Sequence, residues 1–141
     1  MKKIYVLGAM LLTSICAMSQ NKLQVTVTNI KGQKGNIMVG IFDSQDSFLK
    51  KPLDGRMAEA SGNSITVVFE NLKPGKYAVS VLHDANKNKD LDKNKLGIPK
   101  EGFGFSNNVL GAMGPPTFER AVIDLVPDQK DLDIDIKMKY M

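Results

Sequence analysis

The feature that most limits what this chain can fold into is a strict two-residue alternation near its end. Leu132, Ile134, Ile136 and Met138 alternate with Asp131, Asp133, Asp135, Lys137 and Lys139. Successive side chains of an extended strand point to opposite faces, so this segment buries one face and wets the other only as a β-strand. Its acidic row reads as a solvated face that also discourages edge pairing. The same period recurs upstream: Leu23, Val25 and Val27 alternate with Gln24, Thr26 and Thr28, then Ile37, Val39 and Ile41 follow, and Ile65, Val67 and Phe69 share a face within Ser64 to Glu70. Lys31 to Gly35 separates the first two segments as a turn, which predicts a hairpin. Lys76 to His83 is apolar on both faces, with Tyr77, Val79 and Val81 against Ala78 and Leu82, as expected of a central strand.

Thr117 to Leu125 and Leu132 to Tyr140 read as the last two strands, divided by Pro127-Asp128. Pro74 and Gly75 suit the two central positions of a type II turn over Lys73 to Lys76, because Pro fixes φ and Gly accepts φ > 0. Asp43 to Gly62 carries Pro52, Gly55 and mixed charges, and reads as a connection crossing between sheets, with a short helical turn at Ser47, Phe48 and Leu49. Six or seven short strands without a long helix predict an all-β fold. The expected architecture is a two-sheet antiparallel β-sandwich, immunoglobulin-like or transthyretin-like, with one long irregular loop. A chain of 141 residues is expected to hold one such domain, since two cores would each be marginal.

The first 19 residues have the pattern of an export signal. Lys2 and Lys3 precede an apolar run from Ile4 to Ile15, and Ala17-Met18-Ser19 supplies the small residues a signal peptidase needs. The run is well short of the roughly 20 residues needed to span a bilayer. The chain is therefore expected to be exported to the periplasm or the exterior, with residues 20–141 as the mature domain and no transmembrane segment left after cleavage. Lipidation at Cys16 is disfavoured because Ile15, not a small residue, precedes it. Losing Lys2 and Lys3 lowers the formal charge from +4 to +2, which removes the main argument for nucleic acid as a partner. A single Cys and a single His exclude a disulfide framework, a cysteine-based zinc site and a histidine-rich metal centre.

The alternation stops between His83 and Thr117, and residues 84–116 form the expected long loop, where a function or an organising ligand is to be sought. In Asp84-Ala85-Asn86-Lys87-Asn88-Lys89-Asp90-Leu91-Asp92, oxygen-bearing side chains fall at every second position. Calcium, a hard ion with 6 to 8 oxygen ligands, is the cation such a loop suits. Asp84, Asn86 and Asn88 match positions 1, 3 and 5 of an EF-hand loop, the Asp90 carbonyl position 7, and Asp92 position 9. Lys89 stands where that loop has Gly and Lys95 where it has a bidentate Glu, so a standard EF-hand is excluded and Asp92 or Glu101 must complete the shell. The alternative is a metal-free turn held by side-chain-to-backbone hydrogen bonds.

Downstream, Phe103 and Phe105 alternate with Gly102 and Gly104, and Ser106, Asn107 and Asn108 follow. These five residues, the two Phe and the three polar ones, are candidates for a shallow sugar or peptide site; the competing expectation is that both Phe tuck into one end of the sandwich. Asn108 stands where a nucleophile elbow would have its last Gly.

The run Asn71-Leu72-Lys73-Pro74-Gly75-Lys76-Tyr77-Ala78, continuing through His83-Asp84, Asn86, Asn88, Leu91-Asp92, Gly97-Ile98-Pro99, Glu101-Gly102 and Gly104 to Asn108, resembles the bacterial domain-of-unknown-function family numbered 2141. The resemblance covers nearly all of residues 20–141 and implies a small exported β-sandwich of unassigned biochemical role. The family often has Gly after the second Asn, where this chain has Lys89. The expected function is a non-enzymatic binding or accessory module of the cell envelope, calcium-stabilised, facing an envelope protein or a glycan. The alternative is a hydrolase with His83 as base beside a carboxylate, Asp84 or Glu101.

Overall fold

The computed structural model describes residues 21–141; the expected signal segment lies outside the described residues. Eight strands follow in order: β1 (Asn21–Thr28), β2 (Asn36–Phe42), β3 (Asp54–Glu59), β4 (Ile65–Leu72), β5 (Gly75–Asp84), β6 (Phe103–Phe105), β7 (Ile123–Leu125) and β8 (Asp131–Lys137). Ser106–Asn108 form a 3-10 turn after β6, and a one-turn helix, α1 (Phe118–Ala121), precedes β7. One sheet has the order β4-β1-β8, the other β3-β2-β5-β6, with β7 beside the start of β5. The fold is thus an all-β sandwich. Every strand pair is antiparallel except β1 and β8, which run parallel with Leu23 opposite Leu132, Val25 opposite Ile134 and Val27 opposite Ile136.

The alternating aliphatic residues of both sheets meet between them. Val25, Val27, Ile37, Ile41, Phe69, Val79 and Ile136 have no exposed surface. The acidic row of β8 points to water, as expected, while Ile136 and Met138 close the core. A second cluster lies on the outer face of the larger sheet. There Phe48 packs edge-on against Phe42 and Phe118, at ring distances of 5.4 and 5.9 Å, and tilts over Phe105 at 6.3 Å. The turns from Ser44 to Lys51, closed by bonds such as Phe48 N–H to the Ser44 carbonyl at 3.0 Å, hold Phe48 there.

Four local expectations are corrected. β1 and β2 are not a hairpin; the connection between them carries the chain from one sheet to the other, and their apolar faces oppose each other across the core. Alternation reveals which face is buried, not which strand lies alongside. The stretch read as a plain connection contains β3, whose inward position is covered by Arg56: its guanidinium lies 4.9 Å from the centre of the Phe69 ring and its Nε donates to the Val68 carbonyl at 3.2 Å. An arginine stem lidding a core edge erases the apolar signal of a strand. Residues 117–125 are not one strand, because Phe118 and Ala121, three apart, are buried together by a helical turn. The turn before β5 is not type II: Asn71, at φ 58°, takes the left-handed conformation, and Gly75 does not.

Among the described residues no helix is long and apolar enough to cross a membrane.

Candidate functional site

β5 delivers His83 and Asp84, both buried, to one end of the sandwich, where the loop begins. Asp84 organises the first turn of that loop. Its Oδ1 accepts the Asn88 N–H at 3.1 Å and its Oδ2 the Lys89 N–H at 2.8 Å. Two further turns wind on this one: Asn86 Oδ1 accepts the Asn88 N–H at 3.2 Å, and Asn88 Oδ1 accepts the Asp90 N–H at 3.0 Å. The winding needs left-handed backbone at Lys87 (φ 60°) and Lys89 (φ 66°). Lys89 therefore adopts the conformation that glycine would take more cheaply, by roughly 1 kcal/mol.

The carboxamides of Asn86 and Asn88 both donate to the Asp92 carboxylate, Asn88 at 2.8 Å. Glu101, also buried, closes the loop from behind: Oε1 accepts the Ala85 N–H at 3.0 Å and Oε2 the Asp92 N–H at 3.1 Å. The structure therefore brings Asn86, Asn88 and Asp92 into direct contact, and ties Asp84 and Glu101 to the same loop through backbone N–H groups. Asp90 is exposed and joins the network through its own N–H. Among the described residues, no three side chains of His, Cys, Asp or Glu gather closely enough to hold an ion by themselves. Neither Asp84 nor Glu101 forms an ion pair with a lysine or arginine among the described residues.

His83 faces away from these carboxylates. Its Nε2 lies 2.8 Å from the Lys34 carbonyl, which can only accept, so Nε2 carries the proton. Nδ1 then accepts the Tyr140 hydroxyl at 2.8 Å, and the Tyr140 oxygen accepts the Lys31 N–H at 3.0 Å. Burial pushes the Tyr140 phenol above its ordinary value, with the Lys31 N–H acting the other way. Gly102 is required beside this pair, because a Cβ there would overlap the Tyr140 ring. Both ring nitrogens of His83 are engaged by the scaffold, and no feature of its surroundings favours the hydrolase reading.

Of Phe103, Phe105, Ser106, Asn107 and Asn108, the two Asn are exposed and the other three are buried or half-buried. Phe105 sits in the aromatic cluster and Phe103 is half-buried against it. Ser106 has no exposed surface; its Oγ accepts the Val79 N–H at 2.9 Å and donates to the Ala121 carbonyl at 2.5 Å. Asn107 donates to the Arg120 and Val122 carbonyls. Asn108 caps the outer edge of β8, accepting the Lys137 N–H at 2.8 Å and donating to the Asp135 carbonyl at 3.2 Å. The polar side chains of this run stitch β5, β8 and α1 together.

A family model described as "Uncharacterized protein conserved in bacteria (DUF2141)" matches residues 25–134. The chain belongs to this family. No curated protein and no solved structure matches it. The DUF2141 match runs from β1 into β8 and contains the whole loop, so the network around Asp84 lies inside the family domain.

Two residues of this DUF2141 end of the sandwich escape a reading of spacing alone. Tyr140 shares the parity of Ile136 and Met138, which marks it as inward-facing but not as the partner of His83. Asn94 looks like one more polar loop residue, yet its Oδ1 accepts the N–H groups of Leu96 at 2.8 Å and Ile98 at 3.0 Å, fixing a tight turn.

Proposed function

We propose that this DUF2141 protein is an exported, non-enzymatic module of the cell envelope, that the loop from Asp84 to Asp92 is its functional element, and that calcium orders the base of that loop. One observation carries the reading. Two buried carboxylates, Asp84 and Glu101, flank the contact between Asn86, Asn88 and Asp92 without a cationic side chain paired to either among the described residues. Buried charges are normally paired or bound to metal. A calcium ion would draw on the oxygens of Asp84, Asn86, Asn88 and Asp92 and on the Asp90 carbonyl. Asn86 and Asn88 each keep a second lone pair on Oδ1 beside the one that accepts a backbone N–H, and that lone pair is what they would offer the ion.

Export rests on the Lys2-Lys3, apolar and Ala17-Met18-Ser19 pattern. The test of the metal is thermal unfolding in excess chelator and then in millimolar calcium. A ligand specific to the folded state stabilises by about 2.7 kcal/mol at a hundredfold excess over Kd. The midpoint is expected to rise with calcium, and Asp92→Asn to remove most of the rise. An unchanged midpoint refutes the metal.

A further inference from the structure

Beyond its base, the loop ends in a projection with a chemistry of its own. Residues 92–100 double back as a short hairpin: Lys93 pairs with Pro99, the Lys100 N–H donates to the Asp92 carbonyl at 2.8 Å and the Asn94 N–H to the Ile98 carbonyl at 2.9 Å. The tip closes with the Gly97 N–H on the Asn94 carbonyl at 3.0 Å, Gly97 being left-handed at φ 78°. Together with the two bonds to Asn94 Oδ1, this is a rigid three-residue turn.

The turn presents an unusual set of side chains. Its apex is Leu96, 84% exposed, followed by Ile98 at 42%. Such a position ordinarily takes Asn, Asp or Ser. Residues 93–100 contain Lys93, Lys95 and Lys100 and no carboxylate, all three lysines are exposed, and none is in an ion pair among the described residues. The two carboxylates that flank this segment in sequence are already hydrogen-bonded, Glu101 by the Ala85 and Asp92 N–H groups and Asp92 by the carboxamides of Asn86 and Asn88. An aliphatic apex held by these bonds, on a hairpin that carries three exposed and unpaired lysines, matches a surface that is apolar beneath and anionic at the boundary.

We infer that this hairpin docks on an anionic phospholipid bilayer, with Leu96 entering the acyl boundary and Lys93, Lys95 and Lys100 meeting the phosphates. The physical terms are those of interfacial binding: buried apolar area plus attraction between basic side chains and anionic lipid. Order in the turn comes from its own hydrogen bonds, so the inference does not depend on calcium at the loop base.

The test is sedimentation of the purified protein with vesicles of phosphatidylcholine containing phosphatidylglycerol, against pure phosphatidylcholine, each with chelator and with calcium. Binding to the anionic vesicles is expected in both conditions, weakening as salt rises. Each of Lys93→Gln, Lys95→Gln and Lys100→Gln is expected to weaken it about five-fold, and Leu96→Asn to reduce it further. The chain has no Trp, so Leu96→Trp makes a single reporter whose emission should shift to the blue on anionic vesicles. Circular dichroism of each variant checks that it folds. Absence of binding, equal binding to both lipids, or unchanged emission from Leu96→Trp overturns the inference. A calcium-independent blue shift with no calcium effect on unfolding would keep the docking and reject the metal.

Discussion

β8 and the loop after β5 are both ordered, by opposite means. β8 alternates, buries Ile136 completely, continues into buried Met138, and takes its register from seven parallel pairings with β1. From Ala85 to Lys100 not one residue is buried, yet the segment is bracketed by buried Asp84 and Glu101. Four N–H groups end on those two carboxylates. Apolar burial fixes β8 through many small contacts, so its stability is shared with the whole core. The loop depends on two side chains, and losing either should loosen it while the sandwich stands.

The contrast can be broken most severely from the core side. Phe69→Ala, at a fully buried ring, is expected to cost about 3–5 kcal/mol in urea unfolding, and loop and sheets should lose hydrogen-exchange protection together. Asp84→Ala comes next, at about 1–3 kcal/mol for its unsatisfied donors. Here amides of residues 85–92 should exchange faster while those of β1 and β2 keep their protection; uniform loss across the chain would erase the distinction. Tyr140→Phe removes the donor to His83 and the acceptor of the Lys31 N–H, for about 1 kcal/mol.

The same variant sharpens the pH dependence. Burial raises the Tyr140 phenol, and burial first, then Asp43, raises that of Tyr77. The unfolded chain then releases these protons at lower pH than the folded one. Stability should hold below the ordinary tyrosine value of about 10 and fall as pH rises through it, less steeply in Tyr140→Phe. The smallest effect is expected of Leu96→Ser, within about 0.5 kcal/mol, since Leu96 supports nothing in the fold.

Legibility in the sequence divides along the same line. The strands whose side chains alternate, β1, β2, β4, β5 and β8, can be read because a buried face leaves a period of two. β3 cannot, since Arg56 occupies an inward position and Gly55 and Met57 carry no pattern. The pairing of β1 with β8 is invisible because no local signal encodes a partner more than a hundred residues away. In the loop, the oxygen spacing of Asp84, Asn86 and Asn88 reads as a cation's ligand set, and the structure shows the same three side chains accepting backbone N–H groups. Glu101 reads as a distant carboxylate, but its place behind the Ala85 and Asp92 N–H groups depends on β6 lying beside β5, a tertiary fact. Over Phe103 to Asn108 the sequence is ambiguous, because Asn and Ser side chains that grip neighbouring backbone look the same in sequence as those that await a ligand.

The parallel seam between β1 and β8 has a consequence for how the molecule forms. β1 lies between β4 and β8, so the smaller sheet is complete only when the last strand has arrived beside the first. Until then Val25 and Val27 lack Ile134 and Ile136 beside them, and one edge of β1 is open. Contacts this far apart in sequence slow folding. In a chain made from its N-terminus, the strands of the larger sheet from β2 to β6 are present well before β8, and the smaller sheet is the part that waits for the last strand.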